Sequence, residues 1–288
     1  MLLLPENVIA TTGSSRPANR GICEVKSALT SVFQTQGLTD KLEFIGYDAC
    51  LMAVQDVAEF NSQFFNYMVS SEESETGYGW AYNRWVDDLY AYASTETILT
   101  AIVDGFIAQC DIDYGGSANN DQTLSVLDLS KMSAYKSAFE SMASAIKSTA
   151  RNNMTNFRNL LKECKTYGDT YCDYSEYQEY VYYGYPSSWF DTFSYYGQTY
   201  YLLHGYYLFG TFDIYDVLTH LENNSSYSSY KSKITDAKNA FLELVYHNKV
   251  GAAAGESHGL TLYTVMDSTY HSYPNAETNF TNWRSIFN

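Results

Sequence analysis

A cysteine does nucleophilic chemistry as its thiolate, which needs an accessible position and surroundings that favour negative charge. Of the five cysteines, Cys23, Cys50, Cys110, Cys164 and Cys172, Cys50 stands where both conditions could be met. It follows Leu42-Glu43-Phe44-Ile45-Gly46-Tyr47, a short, mostly apolar run of the kind buried in a parallel sheet. It precedes Leu51-Met52-Ala53-Val54, which reads as the start of a helix continuing to Phe64. A helix N-terminus there would turn backbone N–H groups and a positive dipole end toward the sulfur. The carboxyl edge of a parallel sheet is also where α/β folds place their sites. On these features alone a buried structural cysteine is the commoner outcome.

The remaining reactive types are less ordered in sequence. An odd, sparse set of cysteines makes no disulfide framework and contains no CxxC metal spacing. Cys164 and Cys172 are near enough in sequence to pair, although proximity says nothing about geometry. The histidines, His204, His220, His247, His258 and His271, show no HExxH arrangement. Asp111-Ile112-Asp113 opens like a calcium loop, but the later ligand positions are missing, so Asp111 to Asp121 reads as a plain loop.

The elements that must carry these residues can be read from periodicity. Val25, Ala28, Leu29, Val32 and Phe33 recur at helical spacing, and Gly37 closes that helix. Ser70 to Gly79 reads as a loop, Trp80 to Tyr92 as a helix, and Ile98 to Phe106 as another. Leu124 to Leu129 is a strand followed by a long helix from about Ser133. Helices are expected from near Phe212 and from Ile234 to His247, with Gly259 to Tyr263 a late strand. Strands alternating with helices predict an α/β fold with a largely parallel sheet flanked by helices. Residues 165–207 are dominated by tyrosine; such density either lines a binding surface or packs an added subdomain, and the second is expected. The division predicted is a core over 1–160, a Tyr-rich insertion over 161–210, and C-terminal helices and strand over 211–288.

Composition limits the partners. Of 288 residues, 45% are hydrophobic, enough for a sizeable core. The 17 Lys and Arg against 33 Asp and Glu give a net charge of −16, which repels nucleic-acid phosphate and anionic lipid. It would gather cationic ligands such as Lys- or Arg-rich peptides, or serve solubility alone. No run approaches the roughly 20 apolar residues of a membrane-spanning helix. Met1 to Pro5 is too short for a signal-peptide core, so the chain is expected either to be cytosolic or to lack its original N-terminus.

Wider segments bear a resemblance to a known family. Gly46-Tyr47-Asp48-Ala49-Cys50-Leu51-Met52-Ala53 is similar to the nucleophile segment of clostripain-like cysteine peptidases, with its Asp-x-Cys-Leu-Met element. Ser71-Glu72-Glu73 and Gly77-Tyr78-Gly79-Trp80 resemble that family's Ser-Glu and Pro-Gly-x-Gly-Trp stretch, with Thr76 in place of proline. Leu124 to Ser130 and His258 to Tyr263 resemble later family strands, in the expected order. The resemblance implies a caspase-like fold and cleavage after Arg or Lys, with Cys50 as nucleophile and Asp48 in the pocket for the basic side chain. A carboxylate there would pair with guanidinium in two-pronged fashion. It also makes secretion and assistance by calcium expectations, without naming calcium ligands.

The family's partner histidine precedes a glycine on an earlier strand. The matching stretch is Val8-Ile9-Ala10-Thr11-Thr12-Gly13-Ser14, where Thr12 stands in the histidine position. Gly13 could still offer its N–H to an oxyanion beside that of Cys50, but a threonine hydroxyl does not titrate near neutrality. Two readings stay open. The chain is the Cys50-bearing piece of a two-piece peptidase whose histidine lies on a separate light-chain-like segment, or it is an inactive homologue that binds basic peptides. His204, in His204-Gly205, offers a remoter alternative in reversed order; His258 also precedes a glycine, but starts a strand.

Overall fold

The computed structural model describes residues 19–90, 93–267 and 279–288. Helix α1 (Asn19–Gln36) ends at Gly37, whose φ of 64° is the left-handed turn that a glycine makes without strain. Strand β1 (Leu42–Gly46) follows, then α2 (Gln55–Asn61) and β2 (Phe65–Ser70). Next come α3 (Val86–Tyr90), α4 (Thr95–Asp113), β3 (Thr123–Asp128), α5 (Met132–Asn152) and α6 (Met154–Lys162). A tyrosine-rich stretch supplies β4 (Thr170–Cys172), α7 (Tyr174–Tyr182), β5 (Phe190–Tyr195), β6 (Gln198–Leu203) and α8 (Gly205–Leu208). The chain closes with β7 (Thr211–Asp213), α9 (Ile214–Asn223), α10 (Lys231–Leu244), β8 (Val245–Val250), β9 (Thr261–Tyr263) and α11 (Thr281–Phe287).

The central sheet has the order β1-β2-β3-β8. β1 and β2 run parallel, with Leu42 opposite Phe65 and Gly46 opposite Val69, because α2 carries the chain back between them. β3 is antiparallel to both β2 and β8, so the described sheet is mixed. Alternation along the strands sends side chains to opposite faces. Ile45, Met68 and Leu127 meet the large core formed with α2, α5, α9, α10 and α11, whereas Phe44, Val69, Leu124 and Val126 meet α4, Trp80 and Trp85. Ile98, Leu99, Ile102, Val103, Phe106, Ile107 and Cys110 are the buried stripe of α4, and the Ser94 hydroxyl caps its first turn by accepting from Thr97 N–H. Helices thus cover both sheet faces, the α/β plan expected from the alternating pattern.

Several elements depart from the pattern read in sequence. The sequence pattern, a helix to Phe64 and a loop from Ser70, leaves β2 at Phe65–Ser70 unmarked. β8 occupies Val245–Val250, where a helix was expected to reach His247. Trp80 to Tyr90 is helical in two short pieces instead of one helix, a 3-10 turn at Tyr82–Arg84 and the five-residue α3.

The tyrosine-rich stretch folds as a lobe with its own antiparallel sheet, order β4-β6-β5. Tyr196 and Gly197, with φ of 48° and 76°, make the two-residue turn between β5 and β6. One face packs on α7, where Tyr177 stacks on Tyr201 at 4.1 Å and Cys172, Trp189, Phe190 and Leu203 form a small core. The opposite face leaves Tyr171 and Tyr195 exposed. Among the described residues no helix is long and apolar enough to cross a membrane.

Candidate active site

Cys50 lies in a turn just beyond the carboxyl end of β1 and is exposed to solvent. The helix expected to begin beside it starts only at Gln55, with Val54 as its N-cap. Residues 51–54 are used otherwise: Leu51 turns over at a φ of 58°, and Ala53 C=O receives Thr261 N–H at 2.8 Å next to a parallel bridge between Val54 and Thr261. A helix dipole therefore does not act on the sulfur. The backbone N–H of Glu75 does, reaching Cys50 Sγ at 3.2 Å, an arrangement that stabilises charge on sulfur.

The turn is held from one side by the segment after β2. Leu51 N–H donates to Glu73 C=O (3.1 Å) and Ala53 N–H to Ser71 C=O (2.8 Å). That segment is fixed in turn by the start of β3, because Thr123 Oγ1 accepts from the N–H groups of Glu72 (3.0 Å) and Glu73 (3.2 Å), and Gln122 Oε1 accepts from Thr76 N–H (2.9 Å). The Glu73 carboxylate reaches the lobe, accepting Gly168 N–H at 3.1 Å. Burial pushes the Glu73 carboxyl up, against the opposing pull of the Ser74 and Gly168 N–H groups.

Asp48 is half-buried beneath the Gly77-Tyr78-Gly79-Trp80 loop. Its Oδ2 accepts from Tyr82 Oη–H at 2.8 Å and from Trp80 N–H at 3.3 Å. Burial first and the Asp48 hydrogen bond second hold the Tyr82 phenol well above its ordinary range, so it stays a donor. Two glycines shape this spot. A Cβ on Gly46 would come 2.8 Å from the Trp80 ring, and a Cβ on Gly79, where φ is 68°, would come 3.0 Å from Asp48 Oδ2. Trp80 Nε1–H donates to Glu75 Oε2 (3.1 Å), tying the wall beside Asp48 to the residue that holds Cys50.

Thr12 and Gly13 lie outside the described residues. The structure thus brings together Cys50, Asp48, Glu75, Gly79, Trp80 and Tyr82. His204 belongs to the lobe, with Nε2 2.8 Å from Asp191 Oδ2 and its ring stacked on Tyr206; its neighbour Gly205 is required because a Cβ there would meet Tyr167 C=O at 1.9 Å. His258 is engaged by Asp213, through Nδ1 at 3.1 Å and backbone N–H at 2.7 Å. Burial alone would lower this imidazole, but the Asp213 hydrogen bond and charge outweigh it and hold it above its ordinary value. Cys164 and Cys172 are both free thiols.

Beneath the loop lies a buried acid pair that sequence reasoning missed. Glu72 Oε2 accepts Gly259 N–H at 2.7 Å, and Asp213, with no exposed surface, accepts from Tyr167 Oη–H and Asp216 N–H as well as from His258. Burial first and the Asp213 charge second hold the Glu72 carboxyl well above its usual range. Ser71-Glu72-Glu73 carried a family likeness but no role, and Asp213 reads as a helix cap before Ile214. Among the described residues, Cys164, Asp216 and His220 form the one close group of three such side chains suited to a metal ion. Calcium prefers oxygen donors alone, so this sulfur- and nitrogen-containing set does not fit it.

The clostripain family's sequence profile matches residues 14–271. No curated protein sequence matches the chain significantly. Among solved structures, a secreted C11 cysteine protease from Bacteroides thetaiotaomicron, in complex with an irreversible peptide inhibitor, is similar with a TM-score of 0.50 and 13% identity, over 92% of this chain and 62% of that one. A clostripain from the same organism, with a bound peptide inhibitor, gives 0.47 and 15% over 96% of both chains. An inactive zymogen C11 protease from Parabacteroides distasonis gives 0.46 and 16%, over 84% of this chain and 56% of that one. The structural likeness is one of fold, the caspase-like α/β arrangement, while the profile covers most of the sequence. The chain belongs to the clostripain family.

Proposed function

We propose that this protein is a cysteine endopeptidase, or the Cys50-bearing part of one, that cleaves peptide bonds after Arg or Lys. The observation that carries the reading is the placement of an exposed Cys50 two residues beyond a half-buried, twice hydrogen-bonded Asp48. Asp48 supplies fixed negative charge for a guanidinium or ammonium, because its two donors orient the carboxylate without neutralising it. Tyr82, partly exposed, adds aromatic surface beside it, which favours a cation further.

In the reaction, Cys50 Sγ attacks the carbonyl carbon after the basic residue, and the C–N bond breaks to leave an acyl-enzyme that water hydrolyses. The developing oxyanion is assigned to the N–H groups of Cys50 and Gly13. A general base takes the Cys50 thiol proton and, once protonated, gives it to the leaving amine as an acid, a role the Thr12 hydroxyl cannot fill.

The test uses reporter peptides ending in Arg, Lys or Gln, with the wild type beside Cys50→Ala and Thr12→His. Turnover of Arg and Lys reporters that vanishes in Cys50→Ala supports the proposal, and a rise in Thr12→His supports the assignment of that position. Cleavage surviving in Cys50→Ala, or equal cleavage of the Gln reporter, refutes it. Capture of basic peptides without turnover assigns the binding role instead.

A further inference from the structure

We propose that Cys164, Asp216 and His220 form a zinc-binding site joining the end of α6 to α9. The site is separate from Cys50 and independent of the peptidase reading.

Asp216 and His220 are four residues apart on α9, so their side chains lie one above the other on the same helix face. His220 Nε2 is 3.6 Å from Asp216 Oδ1. That is too long for a hydrogen bond, yet close to the spacing of two ligands on one ion. Zinc bonds of about 2.0–2.3 Å at tetrahedral angles put neighbouring donor atoms roughly 3.3–3.7 Å apart. Cys164, two residues past the end of α6, brings its sulfur to the same point, and the three donor atoms all lie within 4.8 Å of one another.

The surroundings are arranged as a metal site needs. Asp216 Oδ2 is occupied by Lys165 N–H at 2.6 Å, which aims Oδ1 toward the histidine. Glu163 Oε2 stands 3.9 Å from His220 Nδ1, on the far side of the ring, beyond hydrogen-bond distance. The Cys164 side chain is buried and its thiol donates to Leu160 C=O at 3.3 Å. Thiolate and imidazole donors select zinc over calcium or magnesium.

Charge and protons balance. Binding displaces the Cys164 proton to solvent, and Zn²⁺ is neutralised by one thiolate and one carboxylate, with neutral His220 third and water fourth. His220 is about one-third exposed, so the ion can enter from solvent. Asp216 N–H bonds Asp213, and Asp213 N–H bonds Lys165 C=O, so the ion would fasten the root of the tyrosine-rich lobe to α9.

The experiment uses the full chain carrying Cys50→Ala, which removes the exposed active-site thiol. The chelator-treated protein is titrated with Co²⁺ and then with Zn²⁺. One cobalt per chain is expected, with a thiolate-to-cobalt charge-transfer band that zinc abolishes. Cys164→Ser and His220→Ala should each remove the band, and His247→Ala should leave it unchanged. Circular dichroism of His220→Ala, a partly exposed position, guards against a folding defect at Cys164. A band that persists in Cys164→Ser, or no band at cobalt excess in the folded parent, overturns the proposal.

Discussion

Replacing Glu72 by glutamine should flatten the dependence of stability on pH. Glu72 is 1% exposed, sits against the equally buried Asp213, and is held well above its ordinary value of 4.5. The folded state therefore keeps a proton on Glu72 that the unfolded chain has lost. Its stabilising contribution is complete below the unfolded value and is lost as pH rises toward the folded one. Across that window stability falls by about 1.4 kcal/mol per pH unit for one proton. Glutamine stays neutral, accepts Gly259 N–H through its carbonyl and offers its amide to Asp213. Urea denaturation at about pH 5.5 and pH 7.5 should show the wild type losing up to about 2.7 kcal/mol more than Glu72→Gln over the interval. His258, also held above its ordinary value by Asp213, contributes with the same sign in both proteins. Equal pH dependence in the two, or a variant less stable at the higher pH, would refute the buried-proton account.

Other changes test the site and the core. Gly79→Ala places a Cβ at a φ of 68° and 3.0 Å from Asp48 Oδ2; it should cost about 1–2 kcal/mol in thermal denaturation and raise KM for Arg reporters. Asp48→Asn keeps the shape but removes the charge, and should cut the preference for Arg over Gln reporters by about ten- to a hundredfold. Trp283→Ala strips α11 of the ring that packs 5.5 Å from Phe139 and 5.9 Å from Phe157; a loss of about 3–5 kcal/mol in denaturant unfolding is expected.

What the sequence disclosed follows from how local each signal is. β1 was legible because Leu42 to Tyr47 is a compact apolar run closed by the polar Asp48. β2 was not, since only Ser62 to Phe64 separate it from α2 and no glycine or proline marks the change. β8 was hidden in the same way: it leaves α10 directly at Val245 and carries His247, Asn248 and Lys249, which a helix tolerates equally. The apolar Leu51-Met52-Ala53-Val54 has the pattern of a first helical turn, although its burial comes from crossing the sheet edge beside Thr261. Cys50 and Asp48 could be named because their neighbours spell a family word. Tyr82 as the donor to Asp48, and Glu72 facing Asp213, depend on distant parts of the chain meeting, which no periodicity encodes.

Leu51 shows how the nucleophile can be both fastened and free. By adopting a backbone hand that ordinary residues avoid, at a cost of about 1 kcal/mol, it flips the chain within one residue: Cys50 faces water while Met52 is 5% exposed and Ala53 fully enclosed. Glycine at that point would relieve the cost but release the hinge. Retaining a bulky side chain there trades a little equilibrium stability for a sulfur that does not wander.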